Sequence, residues 1–134
     1  MNPNEMYKEI ILDYYRNPRN YGRLTSSDIE EYDINPLCGD ELSIAIKLDG
    51  NRIEDIKFNG KGCVISQVSA SMLTEMVLHK SLKDVIKLNK KSILDSLGIE
   101  LSPARLKCAL LSLKVLKTGV YKYLGKQFNG NLDD

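Results

Sequence analysis

Strict alternation of apolar and polar positions marks the centre of the chain. Every second residue across positions 42–48 is apolar, as in a strand with one buried face: Leu42, Ile44, Ile46 and Leu48. Asp49-Gly50-Asn51 then supplies a hairpin turn, and residues 53–58 return as the antiparallel partner strand. A further strand is predicted before this hairpin, at residues 28–34.

Apolar residues at helical spacing flank the predicted strands. A first helix is predicted to start at Asn2-Pro3, with Asn2 as the cap, and to continue through residues 6–14. It ends at Asn17-Pro18, since a residue before proline disfavours helical backbone. After the strands, four helices are predicted: one from Val64, one from Ser81 to about Leu88, one ending near Gly98, and one opened by Ser102-Pro103. This order predicts an α+β fold, with a small antiparallel three-stranded sheet and helices packed on one face.

Length and charge narrow the possible functions. At 134 residues we expect one domain, residues 1–134, with residues 128–134 as a frayed tail. The 19 basic and 18 acidic residues balance at +1 without a basic block, so nucleic-acid binding is not expected. No apolar run of about 18 residues predicts a membrane span, and the first residues do not form a secretory signal. A cytoplasmic location is the default expectation.

The three cysteines do not form a familiar zinc or disulfide pattern. They are 25 and 45 residues apart, with no Cys-x-x-Cys, which excludes a zinc-finger knuckle. An odd number of cysteines in a reducing compartment also argues against a disulfide framework. They are therefore either buried apolar residues or reactive ligands.

The residues around Cys38 and Cys63 indicate that these two cysteines are reactive ligands rather than buried apolar residues. Cys38 precedes Gly39 and Asp40 in a turn-like sequence, where glycine permits a close backbone approach and the aspartate offers a carboxylate. Cys63 follows Gly60-Lys61-Gly62 and directly precedes a helix, whose dipole favours the thiolate.

Cys108 is less distinctive, because free cysteine is often buried. It lies inside the last helix beside Lys107 and three residues after Arg105, and both cations favour a thiolate if they turn toward it. With Cys38, Asp40 and Cys63 it completes a set of three sulfurs and one oxygen. That set suits tetrahedral zinc or one edge of an iron–sulfur cluster, with the oxygen as the labile ligand.

At these residues the sequence resembles the U-type iron–sulfur cluster assembly family, which includes IscU, SufU and the N-terminal part of NifU. The resemblance covers nearly the whole chain to about Tyr123. Four segments carry it: Met6-Tyr7 with Asn17-Pro18-Arg19-Asn20-Tyr21-Gly22; Asn35-Pro36-Leu37-Cys38-Gly39-Asp40; Gly60-Lys61-Gly62-Cys63 with the serine-rich helix to Thr74-Glu75; and Arg105-Leu106-Lys107-Cys108-Ala109.

The resemblance implies a function as well as a fold. Cys38, Asp40, Cys63 and Cys108 would bind a transient [2Fe–2S] cluster or, alternatively, Zn²⁺. Sulfur would arrive as a persulfide from a PLP-dependent cysteine desulfurase, with Cys108 and Cys38 as the candidate acceptors. The assembled cluster would pass to apo iron–sulfur proteins.

The sequence does not decide between the IscU-like and SufU-like branches of the family. IscU-like members carry a histidine before the third cysteine, where this chain has Lys107; this motivates a zinc-dependent sulfurtransferase of the SufU kind as the alternative. SufU-like members, however, carry an insertion between the second and third cysteines that the 45-residue spacing is too short to hold. A structural protein with buried cysteines is the third reading. A cysteine hydrolase is disfavoured, because the single histidine, His79, falls about 24 Å along a helix from Cys63.

Overall fold

The computed structural model describes residues 3–37 and 39–133, with side chains described from residue 7 onward. Within these ranges the chain forms helices and strands in the following order: α1 (Pro3–Arg16), β1 (Ile29–Asn35), β2 (Asp40–Asp49), β3 (Arg52–Lys61), α2 (Val64–Val77), α3 (Leu82–Ile86), α4 (Lys90–Leu97) and α5 (Pro103–Tyr123).

The three strands form one antiparallel sheet in the order β1-β2-β3. At its centre Ile44 pairs with Glu31 of β1 and with Phe58 of β3. The predicted alternation in β2 is confirmed, since its apolar positions 42, 44 and 46 are buried and the residues between them are partly exposed. The pairing shifts register between Lys47 and Leu48, just before the hairpin turn.

Helices α2 and α5 pack on the buried face of this sheet, and the predicted α+β class is confirmed. Most of α2 is enclosed, including the polar residues Ser69, Ser71 and Thr74. The close approach of α5 to β1 is seen at Gly119, where an added Cβ would stand 3.0 Å from Ile29 Cγ2. Burial of these apolar side chains is the main stabilising term of the fold.

The ends of the helices follow the predicted signals. Ser81 Oγ accepts a hydrogen bond from the Asp84 N–H (3.2 Å), and Ser102 Oγ accepts one from the Arg105 N–H (3.3 Å). Gly98 ends α4 with φ at +67°, a conformation that favours glycine. Among the described helices, none has both the length and the apolar character that crossing a bilayer requires.

The residues after α1 attach this helix to the rest of the molecule. The Arg19 N–H donates to Ser71 Oγ (2.8 Å), and the Phe58 N–H donates to the Asn20 carbonyl (2.9 Å). The Arg19 guanidinium lies 3.9 Å from the centre of the Tyr14 ring, whose hydroxyl donates to Glu75 of α2. These contacts fix α1 against α2.

Residues 124–133, here called the returning segment, lie against the helices. Phe128 stacks on Tyr121 with ring centres 5.3 Å apart, and the Lys90 N–H donates to the Leu132 carbonyl (2.7 Å). These contacts do not test whether residues 128–134 fray, so the frayed tail stays a prediction.

Candidate metal centre

Three potential ligand groups from distant parts of the chain meet at one end of the sheet. Asp40 is the first residue of β2, Cys63 directly precedes α2, and Cys108 lies in α5. A carboxylate oxygen of Asp40 and the two sulfurs all lie within 4.8 Å of one another. The structure thus brings together three of the four predicted ligands. The fourth, Cys38, lies outside the described residues.

Asp40 and Cys63 are held together by the main chain. The Cys63 N–H donates to Asp40 Oδ1 (2.9 Å), while Cys63 Sγ lies 3.8 Å from Asp40 Oδ2. Asp40 is only 2% exposed, so its carboxylate is fixed in a site from which water is largely excluded. A buried carboxylate requires partners of this kind, because desolvation of an isolated charge is costly.

Gly62 makes this approach possible because it has no side chain. A Cβ at this position would stand 2.4 Å from Asp40 Oδ1 and 2.5 Å from Ser66 Oγ. Both distances are shorter than any ordinary contact. The sequence indicated glycines beside Cys63 but gave no signal for Ser66, whose hydroxyl donates to the Cys63 carbonyl (3.0 Å).

Cys63 occupies the N-cap position of α2 without capping the helix through its side chain. Its backbone is extended, with φ −70° and ψ 167°, and its thiol makes no capping hydrogen bond. The sulfur is therefore directed toward the site, near the positive end of the helix dipole.

Cys108 is 3% exposed and lies about two turns into α5. Together with Leu37, Asp40, Gly62, Cys63, Ala104 and Arg105 it lines a cavity of about 360 Å³. Arg105 is therefore the cation that shares the cavity with the thiols. Lys107, by contrast, lines a neighbouring cavity of about 250 Å³ with Asn35, Pro36 and Leu132.

The donor set and its spacing fit a tetrahedral thiolate-rich site. For metal–sulfur bonds of about 2.3 Å and metal–oxygen bonds of about 2.0 Å, neighbouring ligands in a tetrahedron are about 3.5–3.8 Å apart. The 3.8 Å between Cys63 Sγ and Asp40 Oδ2 is close to the sulfur–oxygen edge, which is about 3.5 Å for these bond lengths. Two sulfurs with one carboxylate favour zinc or iron–sulfur chemistry over the all-oxygen sites of magnesium or calcium.

The single histidine lies elsewhere. His79 follows the C-terminal end of α2, whereas Cys63 stands at its N-terminal end. Its backbone N–H donates to the Ile53 carbonyl and its own carbonyl accepts from Arg52. Cys63 and His79 are therefore not a nucleophile–base pair.

Comparison with known proteins assigns the chain to a family. The sequence model of the NifU-like N-terminal domain matches residues 6–130. The chain belongs to this family.

Two relatives of the NifU-like chain represent both branches. It is 39% identical to the zinc-dependent sulfurtransferase SufU of Bacillus subtilis, over 92% of this chain and 95% of that protein. It is 35% identical to the iron–sulfur cluster assembly scaffold protein IscU 1 of Archaeoglobus fulgidus, over 96% of this chain and 82% of that protein. Among solved structures, FiSufU of Fervidobacterium islandicum AW-1 superposes with a TM-score of 0.76 at 27% identity, covering 89% of this chain and 99% of FiSufU.

The alignments with the Bacillus and Archaeoglobus relatives differ in length, which shows that this chain lacks residues of the Bacillus relative. The alignment with the Bacillus protein spans 141 positions although it includes only 92% of the 134 residues of this chain, so that relative has residues which this chain lacks. The alignment with the Archaeoglobus protein spans 128 positions and includes 96% of this chain, which leaves almost no gap. The NifU-like chain therefore aligns with the IscU relative almost without gaps but has the higher identity to the SufU relative.

Proposed function

We propose that the protein is an iron–sulfur cluster assembly scaffold that accepts persulfide sulfur from a cysteine desulfurase, binds iron and transfers a [2Fe–2S] cluster to apo-proteins. The convergence of Asp40, Cys63 and Cys108 within 4.8 Å carries the proposal. Cys38 completes the set. Its sequence neighbour Leu37 lines the same cavity, and consecutive Cα atoms are about 3.8 Å apart.

Sulfur enters by thiol–persulfide exchange. The thiolate of Cys108 or Cys38 attacks the terminal sulfur of the desulfurase persulfide. A new sulfur–sulfur bond forms on this protein, the old one breaks, and the desulfurase cysteine leaves as a thiolate. Arg105, which lines the cavity, supplies positive charge beside the attacking group. The exchange itself requires no external oxidant or reductant.

Cluster formation does require electrons. Each sulfane sulfur gains two electrons to become sulfide; ferrous iron supplies part of them as it becomes ferric, and a thiol or one-electron donor supplies the rest. The [2Fe–2S] cluster formed in this way is what the protein transfers to apo-proteins. Asp40 provides an oxygen ligand that matches iron less well than a thiolate does, so we expect its bond to open first when the cluster leaves.

Anaerobic reconstitution tests this proposal. The protein is incubated with ferrous iron, cysteine, dithiothreitol and a catalytic amount of a cysteine desulfurase, and visible absorption is recorded. We expect the bands of a [2Fe–2S] cluster in the wild type and their loss in Cys63→Ser. A wild type that stays colourless while an established scaffold forms a cluster in a parallel reaction would contradict the proposal.

A zinc-dependent sulfur acceptor is the second candidate, and two observations favour it. The Bacillus relative bears that activity in its name, at 39% identity. In addition, Lys107 stands where a histidine is expected in IscU-like members, and it lines the neighbouring cavity rather than the candidate metal centre. In this role Asp40, Cys63, Cys108 and Cys38 would hold Zn²⁺, which would keep the acceptor thiol deprotonated until the desulfurase docks.

The two candidates differ in what purified protein contains. The zinc role predicts equimolar zinc without added metal, together with strong stimulation of desulfurase turnover that a chelator abolishes. The scaffold role predicts a cluster under the anaerobic conditions above and stimulation that does not depend on zinc. Elemental analysis with a desulfurase assay separates them.

A further inference from the structure

Cys63 and Cys108 direct two thiols into one cavity. Their sulfurs both belong to the group of ligand atoms that lie within 4.8 Å of one another. Both cysteines are free rather than disulfide-bonded; Cys63 is half-buried and Cys108 is 3% exposed. Two free thiols at this separation can react with each other, which adds a possible chemistry to metal binding.

The start of α2 leaves the Cys63 sulfur able to turn toward Cys108. A disulfide bond is about 2.05 Å long, so the two sulfurs would have to approach by about 2.8 Å at most. The Cys63 side chain makes no capping hydrogen bond, and its sulfur contacts Asp40 Oδ2 at 3.8 Å. Rotation about its Cα–Cβ bond therefore breaks a weak sulfur contact and leaves the hydrogen bond from the Cys63 N–H to Asp40 in place.

The shared cavity can accommodate a further sulfur atom on Cys108. It measures about 360 Å³ and is lined, beside the two cysteines, by Leu37, Ala104 and Arg105 among others. A persulfide on Cys108 would keep its inner sulfur at the Sγ position, near Cys63, and would extend its outer sulfur into the cavity. The positive charge of Arg105 would stabilise a sulfur anion that leaves there.

We propose that Cys63 is a resolving cysteine, which means that it cleaves a persulfide carried by Cys108 and so releases sulfide. The Cys63 sulfur attacks the inner sulfur of that persulfide, Cys108 Sγ, and a Cys63–Cys108 disulfide forms. The bond between the inner and outer sulfur atoms breaks, and its electron pair goes to the outer atom. The outer atom takes the proton of the Cys63 thiol and leaves as hydrosulfide.

This step balances without an external electron donor. Counted as sulfane sulfur, the outer atom gains two electrons, one from each cysteine sulfur as the disulfide forms. A small dithiol such as dithiothreitol then reduces the disulfide and frees both thiols for metal. The role deepens the proposed function and rests on it in one respect, that Cys108 carries sulfane sulfur.

The test maps persulfides and disulfides in the full chain. Chelator-treated, reduced protein is freed of reductant, loaded anaerobically with inorganic polysulfide and desalted. Sulfide released afterwards is measured with methylene blue, and alkylated peptides are analysed by mass spectrometry over time. In the wild type we expect the Cys108 persulfide to decay into a Cys63–Cys108 disulfide, with one sulfide released for each disulfide formed. In Cys63→Ser we expect the Cys108 persulfide to persist and sulfide to appear only after dithiothreitol is added.

A variant with the thiol moved by one residue is the matched control. Cys63→Ser combined with Val64→Cys keeps the number of thiols, but Val64 is exposed, so its replacement places the thiol at the surface. We expect this variant to behave like Cys63→Ser. Sulfide release at the wild-type rate in either variant would overturn the proposal. A disulfide that joins Cys38 in place of Cys63, or a Cys108 that takes up no persulfide in Cys63→Ser, would overturn it as well.

Oxidation by diamide tests the geometry apart from sulfur transfer. In metal-free protein without added sulfur we expect diamide to join Cys63 and Cys108, and failure to do so would overturn the proposal. Neither experiment uses iron or a desulfurase, whereas the reconstitution described above contains dithiothreitol, which supplies electrons by itself. Failure of the resolving cysteine and failure of cluster assembly are therefore distinguishable.

Discussion

At the scale of single residues, Asp40 serves two purposes. Its Oδ1 holds the Cys63 N–H at 2.9 Å, and its Oδ2 lies 3.8 Å from the Cys63 sulfur. The carboxylate thus fixes the start of α2 and presents an oxygen to the cavity. Gly62 permits both contacts because it leaves room for the carboxylate.

Gly62→Ala tests the importance of this close approach. The added Cβ would stand 2.4 Å from Asp40 Oδ1, so the carboxylate must move away from Cys63. We expect the affinity for zinc, measured by competition with a chromophoric chelator, to fall by about 10–100-fold, as for other changes to groups that orient metal ligands. Gly50→Ala is the control: Gly50 has φ +61° and open space around it, so its substitution strains the backbone away from the site. This account would be contradicted if Gly50→Ala lost affinity for zinc while Gly62→Ala did not.

Replacing Asp40 separates its two roles. Asn retains an oxygen that can accept the Cys63 N–H but is a poorer metal ligand, whereas Ala removes both. We expect a reconstituted cluster to persist longer in Asp40→Asn and in Asp40→Ala than in the wild type, because the labile bond is absent. Decay of the visible absorption under a chelator measures this. A shorter lifetime in both variants would show that Asp40 stabilises the cluster rather than releases it.

The sequence predicted these residues from their neighbours but could not predict their convergence. Gly39, Gly62 and the position before a helix indicated reactive Cys38 and Cys63. That Cys108 meets Asp40 depends on how α5 packs across the sheet, a long-range contact without a local signal. The sequence also could not predict which cavity Lys107 lines. Its position beside Cys108 suggested a shared site, but successive residues of a helix are rotated by about 100°, and Lys107 lines the neighbouring cavity.

At the scale of elements, β1 lies where a strand was predicted, although its sequence pattern is weaker than that of β2. Its inward positions include Glu31 and Asp33, so its sequence does not alternate cleanly between apolar and polar residues. These acids face α5, where Lys122 pairs with Glu31 (2.9 Å) and Lys114 with Asp33 (2.8 Å). The central strand, β2, followed its pattern more closely, because Leu42, Ile44 and Ile46 occupy its buried positions.

The Asp33–Lys114 pair predicts a pH dependence of stability. Burial alone raises the pKa of Asp33, but hydrogen bonds from Lys114 and from the Ile34 N–H outweigh it and hold the pKa below its usual 3.8. Because the folded pKa is lowered, the stabilisation is present above the unfolded pKa and is lost as pH falls through the folded value.

We therefore expect the free energy of unfolding to fall less steeply in Asp33→Asn than in the wild type between about pH 5 and pH 2.5. Urea denaturation of metal-free protein across this range measures the difference. Asp95→Asn, on the exposed side of α4, is the control and should follow the wild type. Parallel curves for Asp33→Asn and wild type would show that the ion pair does not stabilise the fold.

At the scale of the whole molecule, the sheet and two helices bring together candidate ligands that lie 23 and 45 residues apart in sequence. Asp40, Cys63 and Cys108 each belong to a different element, so the site forms only when the complete fold does. The returning segment adds contacts that no periodicity in residues 124–133 indicated, because they depend on Lys117 and on the start of α4.

Metal analysis of anaerobically purified protein tests the central claim most directly. Zinc, iron and sulfide are measured in the wild type and in Cys38→Ser, Asp40→Ala, Cys63→Ser and Cys108→Ser, with His79→Ala as a control for a potential ligand outside the site. We predict a zinc ion or a [2Fe–2S] cluster in the wild type and in His79→Ala, and a sharp loss in each cysteine variant. Metal content that is unaffected by Cys63→Ser and Cys108→Ser, or absent from every protein, would contradict a shared metal centre.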